Sequence, residues 1–400
     1  MSESLRDLDL RIKARDIALA ETTRITPAAF ALQHAGRYEP GLLQLIAGHL
    51  DYLRDIEKKI PSWYKNRQTL PYTGVNLEQS SSELTARYKA GYVSGQNGLD
   101  LTGGLGVDSY FLAQKFDYFT HNEPDAGLSE VAACNFKALG TDNVTFTRFT
   151  AEQYAWPEKR YDWVYLDPSR RNRANGKLVL PEDCLPDLPA LRAQILEHTD
   201  AVMVKYSPML DIRLAVSRLE TVNEIWVLAE KNEVKELVFI LRKTARPRPE
   251  IRCVNLATPQ PEFVFTLEEE KEAIAPYGMP LQYLYEPNAS VMKAGAFTCS
   301  AVRFGLQKIA PNSHLYTHTT ALDHYPGRVM RIRGVTPFDK KRLNNMVSGK
   351  QANIICRNFP LKPEEVKKKL GWKDGGDTYL YLTEDMNGKK LAIVTEKISP

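Results

Sequence analysis

Leu99-Asp100-Leu101-Thr102-Gly103-Gly104-Leu105-Gly106-Val107-Asp108-Ser109 is the stretch that decides the fold. A short apolar run ends on an acid, a glycine-rich turn follows, and Val107, Tyr110 and Phe111 open a helix with one apolar face. Backbone approaches a ligand closely only where Cβ is absent, and the first turn of a helix offers unpaired N–H groups. The dinucleotide fingerprint Gly-x-Gly-x-x-Gly is not met, because Ser109 stands where Gly104-x-Gly106 needs a third glycine. Two further acids fall in step with Asp100. Glu123 lies just past the next apolar run, where a carboxylate can hydrogen-bond both hydroxyls of a ribose. Tyr161-Asp-Trp-Val-Tyr-Leu-Asp167-Pro168 is an apolar strand that delivers Asp-Pro to its carboxyl end, the edge of an open α/β sheet where ligands bind. A tight turn with a solvated glutamate is the plainer reading of the first two features.

Outward from this stretch the pattern alternates short apolar runs with amphipathic helices, the form of a parallel sheet with crossover helices. Strands are expected at 99–101, 118–121, 144–149, 163–166, 201–204, 225–229 and 237–241. Leu128, Val131, Ala132, Phe136 and Leu139 mark the apolar face of a helix between two of them. Only Glu230 to Glu236 separates the last two strands, too short for a crossover helix, so they should form an antiparallel hairpin at the sheet edge. The fold class is thus α/β, a Rossmann-like seven-stranded sheet, with further elements on both sides. Residues 1–74 read as helical, most clearly at 41–60, with Thr26-Pro27 as a helix start and the connector Thr69–Gly74 leading out. The sheet domain takes 75–245 and ends at Arg246-Pro-Arg-Pro. Residues 246–327 read as a small α+β module, and 328–400 as another, built of a strand at 352–356, a helix at 362–370 and a hairpin through Asn387-Gly388.

The chain has 400 residues, 43% hydrophobic and 26% charged, which excludes disorder and small disulfide scaffolds. No run reaches the eighteen or so apolar residues of a membrane helix, and the N-terminus lacks a signal-peptide core, so a cytoplasmic location is expected. Five dispersed cysteines suggest neither a disulfide framework nor a zinc site, and His314, His318 and His324 lack partnering carboxylates, so no metal is expected. The net charge of +4 hides a split: residues 328–400 carry 16 Lys+Arg against 8 Asp+Glu, while the rest is mildly acidic. A basic terminal module suits a polyanion partner, and equally a solvated surface.

Three acids at the ends of the first, second and fourth strands resemble a class I S-adenosylmethionine-dependent methyltransferase. The resemblance extends to almost the whole chain, through Glu78-Gln-Ser-Ser-Ser-Glu-Leu-Thr-Ala-Arg-Tyr-Lys-Ala, Asp167-Pro-Ser-Arg-Arg and Tyr285-Glu-Pro-Asn-Ala-Ser-Val-Met-Lys-Ala-Gly-Ala, to bacterial methyltransferases with a C-terminal THUMP-like domain. It implies that 246–327 is a ferredoxin-like α+β module ahead of the THUMP-like 328–400, that Asp100, Thr102, Gly104 and Gly106 line the methionine end of S-adenosylmethionine, that Glu123 holds its ribose and that Asp167 faces the methyl. Thr102 departs from the usual glycine, and Thr150-Ala-Glu152-Gln stands where an Asp usually meets the adenine, with Glu152 as its substitute. Asp167-Pro168-Ser169-Arg170 is similar to the Asp-Pro-Pro-Tyr of methyltransferases acting on nucleobase amines, which places Asp167, Pro168 and Arg170 at the acceptor. The aromatic of that motif is missing, and Tyr206 is the expected replacement. THUMP domains bind RNA, so the resemblance implies RNA, tRNA or rRNA, as acceptor; a small-molecule or protein acceptor, or an RNA-binding protein without turnover, stays open. Gln79, Ser82, Glu83, Arg87 and Lys89 read either as a lid over the cofactor or as a solvated helix. Asn288 or Ser290 reads as the cap of a short helix, with Lys293 directed to phosphate as the less favoured role.

Overall fold

The structure, a computed structural model, describes residues 3–21, 25–67, 77, 79–170 and 180–398. The expected connector Thr69–Gly74, Glu78 and Arg171 lie outside the described residues. The chain divides into two compact units, Met1–Asn223 with Glu236–Arg246, and Glu224–Lys235 with Pro247–Pro400.

The first unit opens with helices α1 (Glu3–Ala20), α2 (Pro27–Gln33), α3 (Pro40–Lys59) and α4 (Pro61–Tyr64). Thr26 caps α2 by accepting the Ala29 N–H at 3.2 Å, with Pro27 at the first helical position. α3 buries Leu42, Ile46, His49, Leu50, Leu53 and Ile56, the stripe its spacing predicts, and packs on α1 and α2. It stops because the residue before Pro61 is forced out of the helical region, with Ile60 at φ −138° and ψ 72°.

The α/β part follows as α5 (Glu83–Ala90), β1 (Gly95–Asp100), α6 (Val107–Ala113), β2 (Phe116–Asn122), α7 (Ala126–Ala138), β3 (Val144–Thr147), β4 (Tyr161–Leu166), β5 (Ser169–Arg170), β6 (Cys184–Leu185), α8 (Leu188–His198), β7 (Thr199–Tyr206), α9 (Ile212–Leu219), β8 (Val222–Glu230) and β9 (Glu233–Arg242). Every expected strand forms. In the first unit the order is β9-β7-β4-β1-β2-β3, parallel apart from β9, which runs antiparallel to β7. Asp100 is in register with His121 of β2 and Tyr165 of β4. Glu123 and Asp167, each two residues further on, therefore reach the same carboxyl edge as Asp100. β5 and β6 form a separate two-stranded ribbon beyond β4, which no apolar run announces.

In the second unit Lys231 and Asn232, at φ +50° and +69°, turn the chain from β8 into β9 as a two-residue hairpin turn. β10 (Glu250–Leu256) pairs in parallel with β8, and β11 (Phe263–Thr266) antiparallel with β10. The hairpin expected to close the sheet is thus followed by two more strands. α10 (Leu267–Glu272), β12 (Tyr283–Pro287), α11 (Ala289–Ala294), α12 (Cys299–Arg303), β13 (Gln307–Lys308), β14 (Tyr316–His318), β15 (Gly327–Pro337), α13 (Lys340–Met346), β16 (Asn353–Cys356), α14 (Pro363–Leu370), β17 (Thr378–Glu384) and β18 (Lys390–Lys397) complete it. Their sheet runs β13-β14-β12-β15-β18-β17-β16. β12 pairs with β15, so residues 246–327 and 328–400 contribute strands to one sheet. Leu343, Val366, Leu370, Leu380 and Ala392 fill one face and Leu284, Ile309, Met330, Tyr381 and Ile393 the other. Asn288 caps α11, accepting the Val291 N–H at 3.1 Å. Among the described residues no helix is long and apolar enough to cross a membrane, and no group of three or more His, Cys, Asp or Glu is placed to hold a metal ion.

Candidate active site

A cavity of about 440 Å³ opens at the carboxyl edge of the first unit's sheet. Asp100, Thr102, Gly104, Gly106, Glu123, Glu152 and Asp167 all line it, together with Gln79, Asp108 and Leu185. Seven of the residues singled out from the sequence thus converge on one volume, which lies in the size range of small-molecule sites.

The floor is made by the β1–α6 loop. Asp100, almost fully buried, accepts the Ser109 hydroxyl at 2.5 Å and the Thr102 N–H at 2.9 Å. Burial lifts its carboxyl to about 7, with the nearby charges of Asp108 and Asp167 adding to a rise that the hydrogen bonds oppose. Thr102 explains its own departure from glycine. Its hydroxyl accepts the Asp167 N–H at 2.6 Å and lies 3.3 Å from Asp100 Oδ1, joining the ends of β1 and β4. Gly104 is at φ +56°, and a Cβ built on it would meet nothing closer than 3.8 Å, so the missing side chain leaves open room.

Glu123 lies opposite. Its Oε2 accepts the Gly104 N–H and its Oε1 the Asp125 N–H, each at 2.9 Å. Each oxygen keeps a lone pair, which leaves two acceptor sites for a diol. Burial raises this carboxyl above its ordinary range, against the pull of the two N–H groups. Beneath the loop, His121 is buried with Nδ1 2.9 Å from the Ser109 hydroxyl, and burial lowers it to about 3, so the ring is neutral.

Asp167 has a third of its side-chain surface exposed. Its Oδ2 accepts from Lys205 Nζ at 2.6 Å. Burial raises the Asp167 carboxyl and Lys205 opposes that rise. Behind it lies a polar cluster that sequence reasoning missed. Lys89, fully buried, reaches Glu236 at 2.7 Å, Ser81 at 2.8 Å and Asp108 at 2.9 Å. Asp108 also accepts the Tyr165 hydroxyl at 2.7 Å, and the Ser81 hydroxyl lies within 2.8 Å of Asp108 and 3.0 Å of Glu236. Burial works against the charge of Asp108, but Lys89 first and Lys205 second hold it at about 2. The signal that announces Asp167, a polar residue closing an apolar strand, was also present at Lys205 in Ala-Val-Met-Val-Lys. Glu236 and Ser81 carried no such local sign.

Tyr206, Pro168 and Lys89 meet a geometry other than the expected one. Tyr206 does not line the cavity: it is buried edge-on against Phe239 at 5.9 Å. Neighbours on a strand face opposite ways, so with Lys205 turned to Asp167, Tyr206 must turn away. Pro168 is buried beside the cavity without lining it, and Arg170 pairs through its backbone with Cys184 in the β5–β6 ribbon. Lys89 belongs to the buried cluster behind the cavity rather than to a lid, and Glu83 pairs with Arg87 at 2.7 Å while accepting the Ser62 N–H of α4 at 2.8 Å.

The glycine loop, the open space at Gly104 and the paired acceptors of Glu123 fit a nucleoside-bearing cofactor with an amino-acid tail. Residues 283–326 match the ferredoxin-like domain family and residues 327–397 the THUMP domain-like family. A protein of Porphyromonas gingivalis W83, named a "putative methyltransferase", is 31% identical, with 97% of this chain and 98% of that one covered and a TM-score of 0.86. The chain belongs to this family, the class I methyltransferases with a THUMP-like C-terminus. Other members of the wider fold are remote. A "putative class i s-adenosylmethionine-dependent methyltransferase" of Listeria monocytogenes is 13% identical over 63% of this chain and 93% of its own, at a TM-score of 0.37. Trm5b of Pyrococcus abyssi is 13% identical over 41% and 49%, at 0.29. Likeness at scores this low says nothing about substrate or chemistry. No curated protein matches the chain in sequence.

Proposed function

We propose that this THUMP-like family member transfers a methyl group from S-adenosylmethionine to an amino group of a nucleobase in RNA. The observation that carries the reading is the convergence of Asp100, Glu123 and Asp167 on one cavity, with Asp167 alone held between a buried lysine and open space. When bound, the cofactor supplies an electrophilic methyl on a sulfonium. Asp100, Thr102, Gly104 and Gly106 would receive its methionine end, Glu123 its ribose and Glu152 its adenine.

Asp167 then faces the acceptor. A carboxylate accepts an N–H of the target amine, fixing the direction of the nitrogen lone pair, so that catalysis is positioning more than proton chemistry. Leu185 and Pro186 border the same part of the cavity as Ser169 and offer apolar surface to a base. Arg170, from the ribbon beside Asp167, would stack on that base or hold a phosphate. The basic composition of residues 328–400 and their THUMP domain-like match favour RNA over a small molecule.

The test is transfer of labelled methyl from S-adenosylmethionine to total RNA from cells lacking the gene, with Asp167→Ala as control. Label in a discrete RNA species that the variant fails to produce supports the reading. Transfer to protein or small molecules alone, or cofactor binding without any transfer, overturns the assignment to RNA.

A further inference from the structure

Five ionisable side chains from five elements meet behind the cavity: Lys89 of α5, Asp108 of α6, Asp167 after β4, Lys205 of β7 and Glu236 of β9. Their partners can be assigned one by one. Lys89 donates to Ser81 Oγ and Glu236 Oε1 at 2.8 and 2.7 Å and forms an ion pair with Asp108 Oδ1 at 2.9 Å. Ser81, having received Lys89 and also Lys205 at 3.3 Å, has one proton to give. Tyr165 already serves Asp108 Oδ2 at 2.7 Å, so that proton completes Glu236 Oε2 at 3.0 Å. Asp108 and Glu236 thus each have a closer cation than Lys205, namely Lys89. Asp167 is different: Lys89 acts on it only through its charge, and Lys205, 3.9 Å from Asp108 but 2.6 Å from Asp167, is its one ion-pair partner among the described residues.

We propose that Lys205 is a positioning residue of the transfer site, which occupies one oxygen of Asp167, keeps the carboxylate ionised and leaves the other oxygen to receive an N–H of the methyl acceptor. This rests on the reading of Asp167 as the acceptor-facing group. The charge balance at Asp167 is set by all the groups packed around it. Asp108, Asp100, Glu236 and the hydroxyl of Tyr165 surround it with negative charge or none, while Lys89 adds to the pull of Lys205 as the weaker of the two cations. Asp167 already lies above the usual carboxylate range with Lys205 in place, because burial outweighs the ion pair. Without Lys205 it moves further up, towards the protonated form. A protonated Asp167 donates where the amine also donates, and the acceptor loses its alignment.

Carboxyl carbon-13 resonances of the full-length protein, labelled at aspartate, give a readout that needs no turnover. The signal lost in Asp167→Asn is followed against pH in the wild type, in Lys205→Met and in Lys205→Arg. The titration of Asp167 should move up by more than one pH unit in Lys205→Met and stay near its wild-type position in Lys205→Arg. Coincident titrations in wild type and Lys205→Met overturn the inference. If transfer to RNA is established, the acid limb of kcat should shift upward in parallel while KM for the cofactor holds; an unmoved limb also overturns it. Should no transfer be found in the wild type, the functional reading falls on that result alone, while the titration still decides whether Lys205 sets the charge of Asp167. If Lys205→Met fails to fold, Lys205→Gln takes its place in both measurements.

Discussion

Asp100 couples its own charge to whatever occupies the cavity. Its pKa of about 7 makes the protonated form a large fraction of the free protein at neutral pH. The raised value also has a sign for stability. Burial penalises the charged form, so folded protein loses on the order of 1.4 kcal/mol per pH unit as pH rises from the ordinary aspartate value towards 7, and nothing further above it. A ligand ammonium placed near Asp100 pulls that proton off. Binding of S-adenosylmethionine at pH 7 should therefore release up to half a proton, seen as a dependence of the calorimetric enthalpy on buffer ionisation heat. The release should vanish at pH 9 and in Asp100→Asn; a buffer-independent enthalpy at pH 7 would refute the coupling. Residues at this scale were legible where function required a polar group at the end of an apolar strand, as with Asp100, Glu123 and Asp167. They were illegible where only the folded chain brings partners together. Ser81 and Glu236, 3.0 Å apart, are separated by more than a hundred and fifty positions along the chain.

The β1–α6 loop and strand β7 show what whole elements add. Gly106 caps α6 at φ +86°, and a Cβ there would lie 2.6 Å from Phe136 Cε2. The left-handed conformation alone costs an L-residue about 1–2 kcal/mol, and the clash with a packed ring adds to it. Gly106→Ala should lower the denaturant midpoint by about 2 kcal/mol or more of stability and weaken cofactor binding. Gly104→Ala, with open space around its Cβ, should cost mainly the strain while its methyl intrudes on the ligand. Equal losses of stability in the two variants would contradict this account. β7 carries the lesson in the other direction. Its apolar run predicts a strand correctly, yet the run cannot say which of Lys205 and Tyr206 faces the cavity, because that parity is set by pairing with β4 and β9. Propensity also fails for the polar start of β1, Gly95-Gln-Asn, which is held as a strand by Asp162 accepting the N–H groups of Gln96 and Asn97 at 2.7 and 2.8 Å. The short ribbon β5–β6 had no pattern long enough to see.

At the scale of the molecule, the proposed recognition of RNA turns on which cations of the terminal domain are free to meet phosphate. Lys367 and Lys368 lie side by side in the basic last turn of α14. The structure separates them: Lys367 is ion-paired with Glu364 at 2.8 Å and Asp374 at 3.1 Å, whereas Lys368 is exposed. On α13, Lys341 and Arg342 are likewise exposed, and no carboxylate among the described residues comes within ion-pair reach of them. Each lysine or arginine that meets a phosphate contributes about 0.7–0.9 to the slope of log affinity against log salt. Lys341→Ala/Arg342→Ala in the full chain should therefore weaken RNA binding and flatten that slope by about 1.5, with the cofactor affinity unchanged. Lys368→Ala should flatten it by less than one. Lys367→Ala should leave the slope as it is, because its charge is already neutralised by two acids within the fold. A slope indifferent to all three variants would move the RNA contact away from the THUMP-like surface, and a wild-type affinity that does not fall with salt would remove phosphate recognition from the account altogether.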